Sequence, residues 1–138
     1  MKGTYTQLYV HCAWATWDRL PLITTPYQEQ IYACILAKCM ELGCEVLALG
    51  GIEDHLHLLA RFPASLDIAR LVKEVKGASS HLMTHKLSPD VFFKWQGGYG
   101  AFTVGKDRVS ELVAYIKDQE KHHAGNQLRE EWERWDSE

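Results

Sequence analysis

Strand-like and helix-like segments follow one another in the order β-α-β-β-α-β, with one more helix after them, and that order predicts an α+β domain. The plan is ferredoxin-like, or RRM-like: an antiparallel sheet, two helices packed on one face, and a C-terminal helix added to the core. Three observations carry this. The period of apolar residues switches between two and the helical spacing along the chain. Two apolar runs stand back to back across a glycine pair, as in a hairpin. No internal repeat or linker breaks residues 5–124.

Gln7 to Trp17, rich in Tyr, Val, Thr and Trp, reads as the first strand, ended by Asp18-Arg19-Leu20-Pro21. Thr25-Pro26-Tyr27-Gln28 has a capping threonine and an early proline. Ile31, Cys34, Ile35, Cys39 and Leu42 follow at helical spacing until Gly43 stops the helix. Cys44–Leu49 and His55–Phe62 are strands two and three, linked at Gly50-Gly51. A second helix follows Pro63-Ala64-Ser65, with Ile68, Leu71, Val72, Val75, Leu82 and Met83 as its buried stripe. Arg70, Lys73 and Ser80, with Lys76 close by, form its basic exposed side. Val91 to Val104 is aromatic but broken by Gly97, Gly98 and Gly100, so it predicts a bent strand around a loop. Asp107 is the expected cap of a third helix with Val109, Leu112, Val113 and Ile116 buried and Gly125 as its stop. Residues 125–138 form an acidic tail carrying Trp132 and Trp135, a short helix or a frayed end. The face of the sheet away from the first two helices is left free for a site.

The chain has 138 residues, a length for one domain, and 46% hydrophobic with 24% charged residues is enough to fill and coat one core. No apolar run reaches the ~20 residues of a membrane helix, and Met1-Lys2-Gly3-Thr4 lacks a signal-peptide stretch. Cys12, Cys34, Cys39 and Cys44 have neither C-x-x-C spacing nor the density of a disulfide framework, so they read as reduced core thiols of a cytoplasmic protein. The net charge of −3 gives no bulk attraction for nucleic acid or a membrane surface. It conceals a gradient: 3 basic and 6 acidic residues in 1–60, 8 and 4 in 61–108, 4 and 8 in 109–138. A polyanion would lie against the middle segment.

His55-Leu56-His57 is the sharpest local feature, because alternate strand residues project from one face about 6–7 Å apart. Two imidazoles are thereby aimed at one point while Leu56, Leu58, Ala60 and Phe62 anchor the strand in the core. A pair of half-buried surface histidines has the same pattern. Glu53-Asp54 offers a carboxylate ligand nearby, though an acidic pair there is more simply a loop feature. On helix three, Tyr115 and Gln119 stack at i, i+4, a spacing equally compatible with a packing tyrosine at the boundary of the buried edge. His122 and His123 continue that face, where a helix C-terminus also favours histidine.

Taken together, His55-Leu56-His57, Trp95-Gln96-Gly97-Gly98-Tyr99-Gly100-Ala101-Phe102 and Tyr115-Ile116-x-x-Gln119-x-x-His122-His123 resemble the single-tyrosine HUH transposases of insertion sequences and the related REP-associated tyrosine transposases, over roughly Tyr5 to His123. The resemblance implies an enzyme that cleaves and rejoins single-stranded DNA at hairpin-bearing ends through a 5′-phosphotyrosine. It makes Tyr115 the nucleophile on a catalytic helix, and His55, His57 and Gln119 the ligands of Mg²⁺ or Mn²⁺. It also implies a homodimer in which one subunit's tyrosine helix completes the other's histidine site. Arg61, Arg70, Lys73, Lys76, Lys94, Trp95 and Tyr99 are then the natural DNA contacts, although a solvated helix face explains the lysines as well and Trp95 and Phe102 also suit a core. His11 is placed to support the site or simply to pack. Two other readings stay open: a catalytically idle module that binds DNA hairpins, and a small metal-dependent enzyme that does not act on DNA.

Overall fold

The computed structural model describes residues 3–119 and 128–135. Its strands are β1 (Tyr9–Ala15), β2 (Glu45–Ile52), β3 (His55–Arg61) and β4 (Gly100–Val104), and its helices α1 (Thr25–Glu41), α2 (Ile68–Leu82) and α3 (Val109–Lys117). The four strands form one antiparallel sheet in the order β2-β3-β1-β4, as the α+β plan predicts. The two central strands, β3 and β1, pair with Ala13 opposite His57 and Ala15 opposite His55.

Alternation along the central strands splits the sheet into two unlike faces. Val10, Cys12 and Trp14 of β1 and Leu56, Leu58 and Ala60 of β3 meet Ile31, Ile35 and Cys39 of α1 and Leu71, Val72 and Val75 of α2 in one apolar cluster. Each fully buried leucine there contributes about 1.5–3 kcal/mol of transfer free energy. The other face presents His11, His55 and His57, and beside them a smaller cluster in which Ala48 and Leu59 meet Leu112, Tyr115 and Ile116 of α3. That face, expected to be free, is covered by α3 and residues 128–135, because the apolar edge of α3 requires a partner.

Local differences from expectation have local causes. Gly50 and Gly51 lie inside β2, and the hairpin turns at Glu53-Asp54 instead. Gly50 serves close packing: a Cβ there would stand 2.5 Å from the Ile116 carbonyl oxygen of α3. Gly43 takes φ 87° just after α1, the left-handed stop expected of it. The cap of α1 falls on Thr24, one residue early and without a side-chain bond, whereas Asp67 caps α2 by accepting from the Arg70 amide at 2.6 Å. α2 runs on into a π-turn at Met83–Leu87. Asp107 does not cap α3; a 3-10 turn at Lys106–Arg108 leads in, and no side chain caps it. Only Gly100–Val104 of the aromatic segment is strand, with Trp95 held to Thr16 by one isolated bridge. Gly125, His122 and His123 lie outside the described residues.

Candidate active site

β3 delivers His55 and His57, both fully buried, to the α3 side of the sheet. Each ring is held from behind. His55 Nδ1 lies 2.8 Å from Asp54 Oδ1, and Asp54 is itself tied to Arg19 at 3.1 Å. Arg19 reaches it from a turn in which Asp18 and Arg19 both take positive φ, 53° and 55°. His57 Nδ1 lies 2.9 Å from Nε2 of His11, also fully buried, so His11 both packs and orients. With Nδ1 engaged on both rings, the two Nε2 atoms face inward toward α3.

α3 supplies the remaining groups. The Tyr115 ring stands edge-on to His57 with centroids 6.2 Å apart, and Gln119 Oε1 is 3.1 Å from His55 Nε2. Tyr115 and Gln119 are buried, the latter with 1% exposure. The i, i+4 pair and the H-x-H pair therefore converge within a single chain. The swapped arrangement of the sequence reading is not needed to bring tyrosine and histidines together.

Glu133 is the residue the sequence did not flag. Its carboxylate enters the same point, Oε1 3.3 Å from His55 Nε2 and Oε2 3.2 Å from His57 Nε2. Tyr115 Oη donates to Glu133 Oε2 at 2.5 Å, and Gln119 Nε2 donates to it at 3.3 Å. The tail is fastened by aromatic packing. Trp132 is buried against Tyr115, centroids 4.9 Å apart, with the guanidinium groups of Arg108 and Arg129 both over its ring. Trp135 stacks on His55 at 4.8 Å, and the Arg19 guanidinium lies over the same indole at 4.8 Å. Gly100 permits the close pass of the backbone at Arg134, whose carbonyl oxygen would collide with a Cβ. The one signal in the sequence was two tryptophans in an otherwise charged tail, aromatic surface with no other apparent place to go.

Burial and charge set the protonation of these groups. Burial pushes the Tyr115 hydroxyl up to about 12, and the adjacent Glu133 carboxylate adds to this. Burial works against a charged Glu133, but the His55 and His57 rings facing it outweigh that and hold the carboxyl far below the usual carboxylate range. Burial and the neighbouring His57 push His11 down to about 3, so it is a neutral orienting group.

The donor set fits a divalent ion. His55 Nε2, His57 Nε2 and a Glu133 oxygen lie within 4.8 Å of one another. His57 Nε2 is buried and meets the geometry of no hydrogen bond, although Glu133 Oε2 lies 3.2 Å away, which leaves it available as a donor to a cation.

The expected DNA contacts are scattered. Trp95 is a core residue, buried to 7%, its indole N–H donating to Ser79 Oγ at 2.9 Å, so it is a correction to the surface reading. Lys76 is spent on the carbonyls of Gln96 and Gly98, at 2.8 and 2.6 Å. Arg61 holds the Thr6 carbonyl and lies over Tyr5. Arg70 pairs with Glu74, and Lys73 is exposed on the same helix, across the sheet from the histidines. Lys94 stands over Trp17 at 4.1 Å, and Tyr99 packs half-buried against the large core.

Residues 4–119 match the family described as "Transposase IS200 like". The chain is 35% identical over 102 residues to the transposase for insertion sequence element IS200 of Salmonella typhimurium, a match spanning 68% of this chain and 66% of that relative's length. It is 25% identical over 124 residues to the ISDra2 transposase TnpA of Deinococcus radiodurans, covering 86% and 88% of the two chains. Among solved structures, a putative transposase from Deinococcus radiodurans superposes with TM-score 0.68 at 25% identity, over 86% of this chain and 95% of that one. A REP-associated tyrosine transposase bound to a REP hairpin has the same fold, TM-score 0.66 at 17% identity, over 93% and 74%. The chain belongs to the IS200-like transposase family.

Proposed function

We propose that this chain cleaves and rejoins single-stranded DNA with Tyr115 as nucleophile and His55, His57 and Gln119 as protein ligands of Mg²⁺ or Mn²⁺. The observation that carries this is the convergence of Tyr115 Oη and the two inward Nε2 atoms on one buried point, each histidine oriented from behind. Two imidazoles and an amide are an uncharged set, suited to an ion that must also accept phosphate oxygens. A divalent ion held there would draw charge from a non-bridging phosphate oxygen and orient the phosphate.

The residues then divide the work. Tyr115 Oη attacks phosphorus, one P–O bond forms as the bond to the 3′ oxygen breaks, and the tyrosine proton is replaced in the balance by the proton taken up at the released 3′-hydroxyl. The bond energy is kept as a 5′-phosphotyrosine, so rejoining needs no nucleotide cofactor. Asp54 and His11 keep the histidines in the tautomers that face the phosphate. The likeness to a transposase bound to a REP hairpin supports folded single strands as substrate. Lys94 with Trp17, and Tyr99, are the contacts closest in character to a base-stacking and phosphate-binding surface, while Arg70 and Lys73 would act as phosphate contacts away from the chemistry; Arg61 and Lys76, engaged by backbone carbonyls, would shape that surface instead. A homodimer belongs to this proposal, its sites either shared between subunits or, as α3 packs on its own sheet in the single chain, completed within each.

The test is covalent capture. The protein is incubated with Mn²⁺ and single-stranded DNA from the flanks of its own gene, and a protein–DNA adduct is sought on a denaturing gel. The adduct is expected for the native chain and absent for Tyr115→Phe; an adduct formed equally by both refutes the nucleophile.

A further inference from the structure

The tail and the proposed phosphate site compete for one place. Tyr115 Oη, His55 Nε2, His57 Nε2 and Gln119 Nε2 all lie 2.5–3.3 Å from the Glu133 carboxylate, an oxyanion with two oxygens, while His55 Nε2 is also 3.1 Å from Gln119 Oε1. Tyr115, His55, His57 and Gln119 are all buried in this arrangement, so no DNA phosphate reaches them while residues 129–135 are seated. The spacing also suits a shared ion: neighbouring donor pairs are 3.1, 3.2 and 3.3 Å apart, and the His55, His57 and Glu133 ligand atoms all lie within 4.8 Å of one another. A carboxylate adds the negative charge that the histidine–glutamine set lacks, which strengthens binding of a hard cation.

We propose that Glu133 is a fourth protein ligand of the divalent ion in the DNA-free protein and occupies the place of the scissile phosphate, so that DNA entry exchanges carboxylate for phosphate. This rests on the reading of His55, His57 and Gln119 as ligands. No covalent bond is made or broken in the exchange; one anionic oxygen donor leaves the ion as another arrives. The seat is built by this chain's own residues: Trp132 over Tyr115, Trp135 over His55, and the Arg129 amide donating to Tyr115 Oη at 3.0 Å.

The experiment uses the full chain with manganese alone, then with inorganic phosphate. Mn²⁺ affinity is measured by electron paramagnetic resonance for the native protein and for Glu133→Gln, Glu133→Ala and His57→Ala, with thermal melts of the metal-free proteins confirming that each is folded. Both Glu133 variants are expected to bind Mn²⁺ about tenfold more weakly. With the Mn²⁺ site filled, ³¹P relaxation of inorganic phosphate is expected to be enhanced several-fold more by the Glu133 variants than by the native chain, because the position is open. If His57→Ala weakens Mn²⁺ while both Glu133 variants match the native chain in affinity and phosphate access, the exchange is wrong and the ligand reading survives. Unchanged affinity in His57→Ala overturns both. Weaker Mn²⁺ without increased phosphate access overturns the shared position.

Discussion

The two faces of one sheet are closed by opposite chemistry. On the helical face, Leu56, Leu58 and Ala60 meet α1 and α2 through apolar contact alone, and nothing there needs to be exchanged for the protein to work. On the other face, His55 and His57, the residues that alternate with those leucines, are closed by Tyr115, Gln119 and Glu133 through hydrogen bonds and ion pairs. Apolar closure is costly to open because it exposes area. A polar closure can be opened whenever an incoming ligand offers equivalent oxygens and charge. The contrast teaches that a single strand can carry stability on one face, at Leu56, Leu58 and Ala60, and present function on the other, at His55 and His57, beside the apolar Leu59.

That contrast can be broken most severely at Tyr115. Tyr115→Phe removes one oxygen from the functional face, and is expected to reduce adduct formation by about 10³-fold or more while the ring still packs on Trp132. A quantitative gel assay together with a thermal melt separates the two effects. Next in size is Leu58→Ala on the opposite face, expected to cost about 2–5 kcal/mol in a urea titration and to leave Mn²⁺ affinity of the folded protein intact. A large loss of affinity there would mean that the faces are coupled.

Asp54→Asn tests whether support from behind matters. Asp54 accepts from His55 Nδ1, and its replacement by an amide is expected to weaken Mn²⁺ binding about 10–100-fold, with a smaller change in stability. An affinity equal to that of the native chain would make Asp54 a loop residue only.

The smallest effect belongs to the thiols of the apolar face. Burial pushes Cys12, Cys39 and Cys44 up to about 12, 12 and 11, against about 9 for an exposed thiol. The unfolded chain therefore loses these protons first. Their contribution to stability is fully present below pH 9 and is lost as pH rises from 9 toward 12. Urea titrations at pH 8 and pH 10 check the sign, and a chain more stable at pH 10 would contradict it.

Much of this was legible in the chain. H-x-H in a strand and Tyr115 four residues before Gln119 on a helix are short-range patterns, and backbone period alone puts each pair on one face. The alternation of leucines and histidines in β3 assigned the faces before any contact was known. Other residues resisted reading because their environment is made by distant segments. Trp95 is aromatic next to glycines, which suits a binding loop, yet it lies in the core because Ser79, sixteen residues away on α2, accepts its N–H. His11 had two open roles, and only the diagonal approach of β1 to His57 assigned it both.

By itself, then, the sequence determined the element order, the antiparallel sheet and the two convergent pairs, since those follow from periodicities of two and 3.6 and from turn residues acting over a few positions. Tertiary structure decided that α3 lies on its own sheet and that Glu133, far along an acidic tail, points between the histidines. No local pattern encodes that placement. It depends on Trp132 and Trp135 finding aromatic partners and on Gly100 leaving room for the chain to pass, contacts between residues about 15 to 80 positions apart.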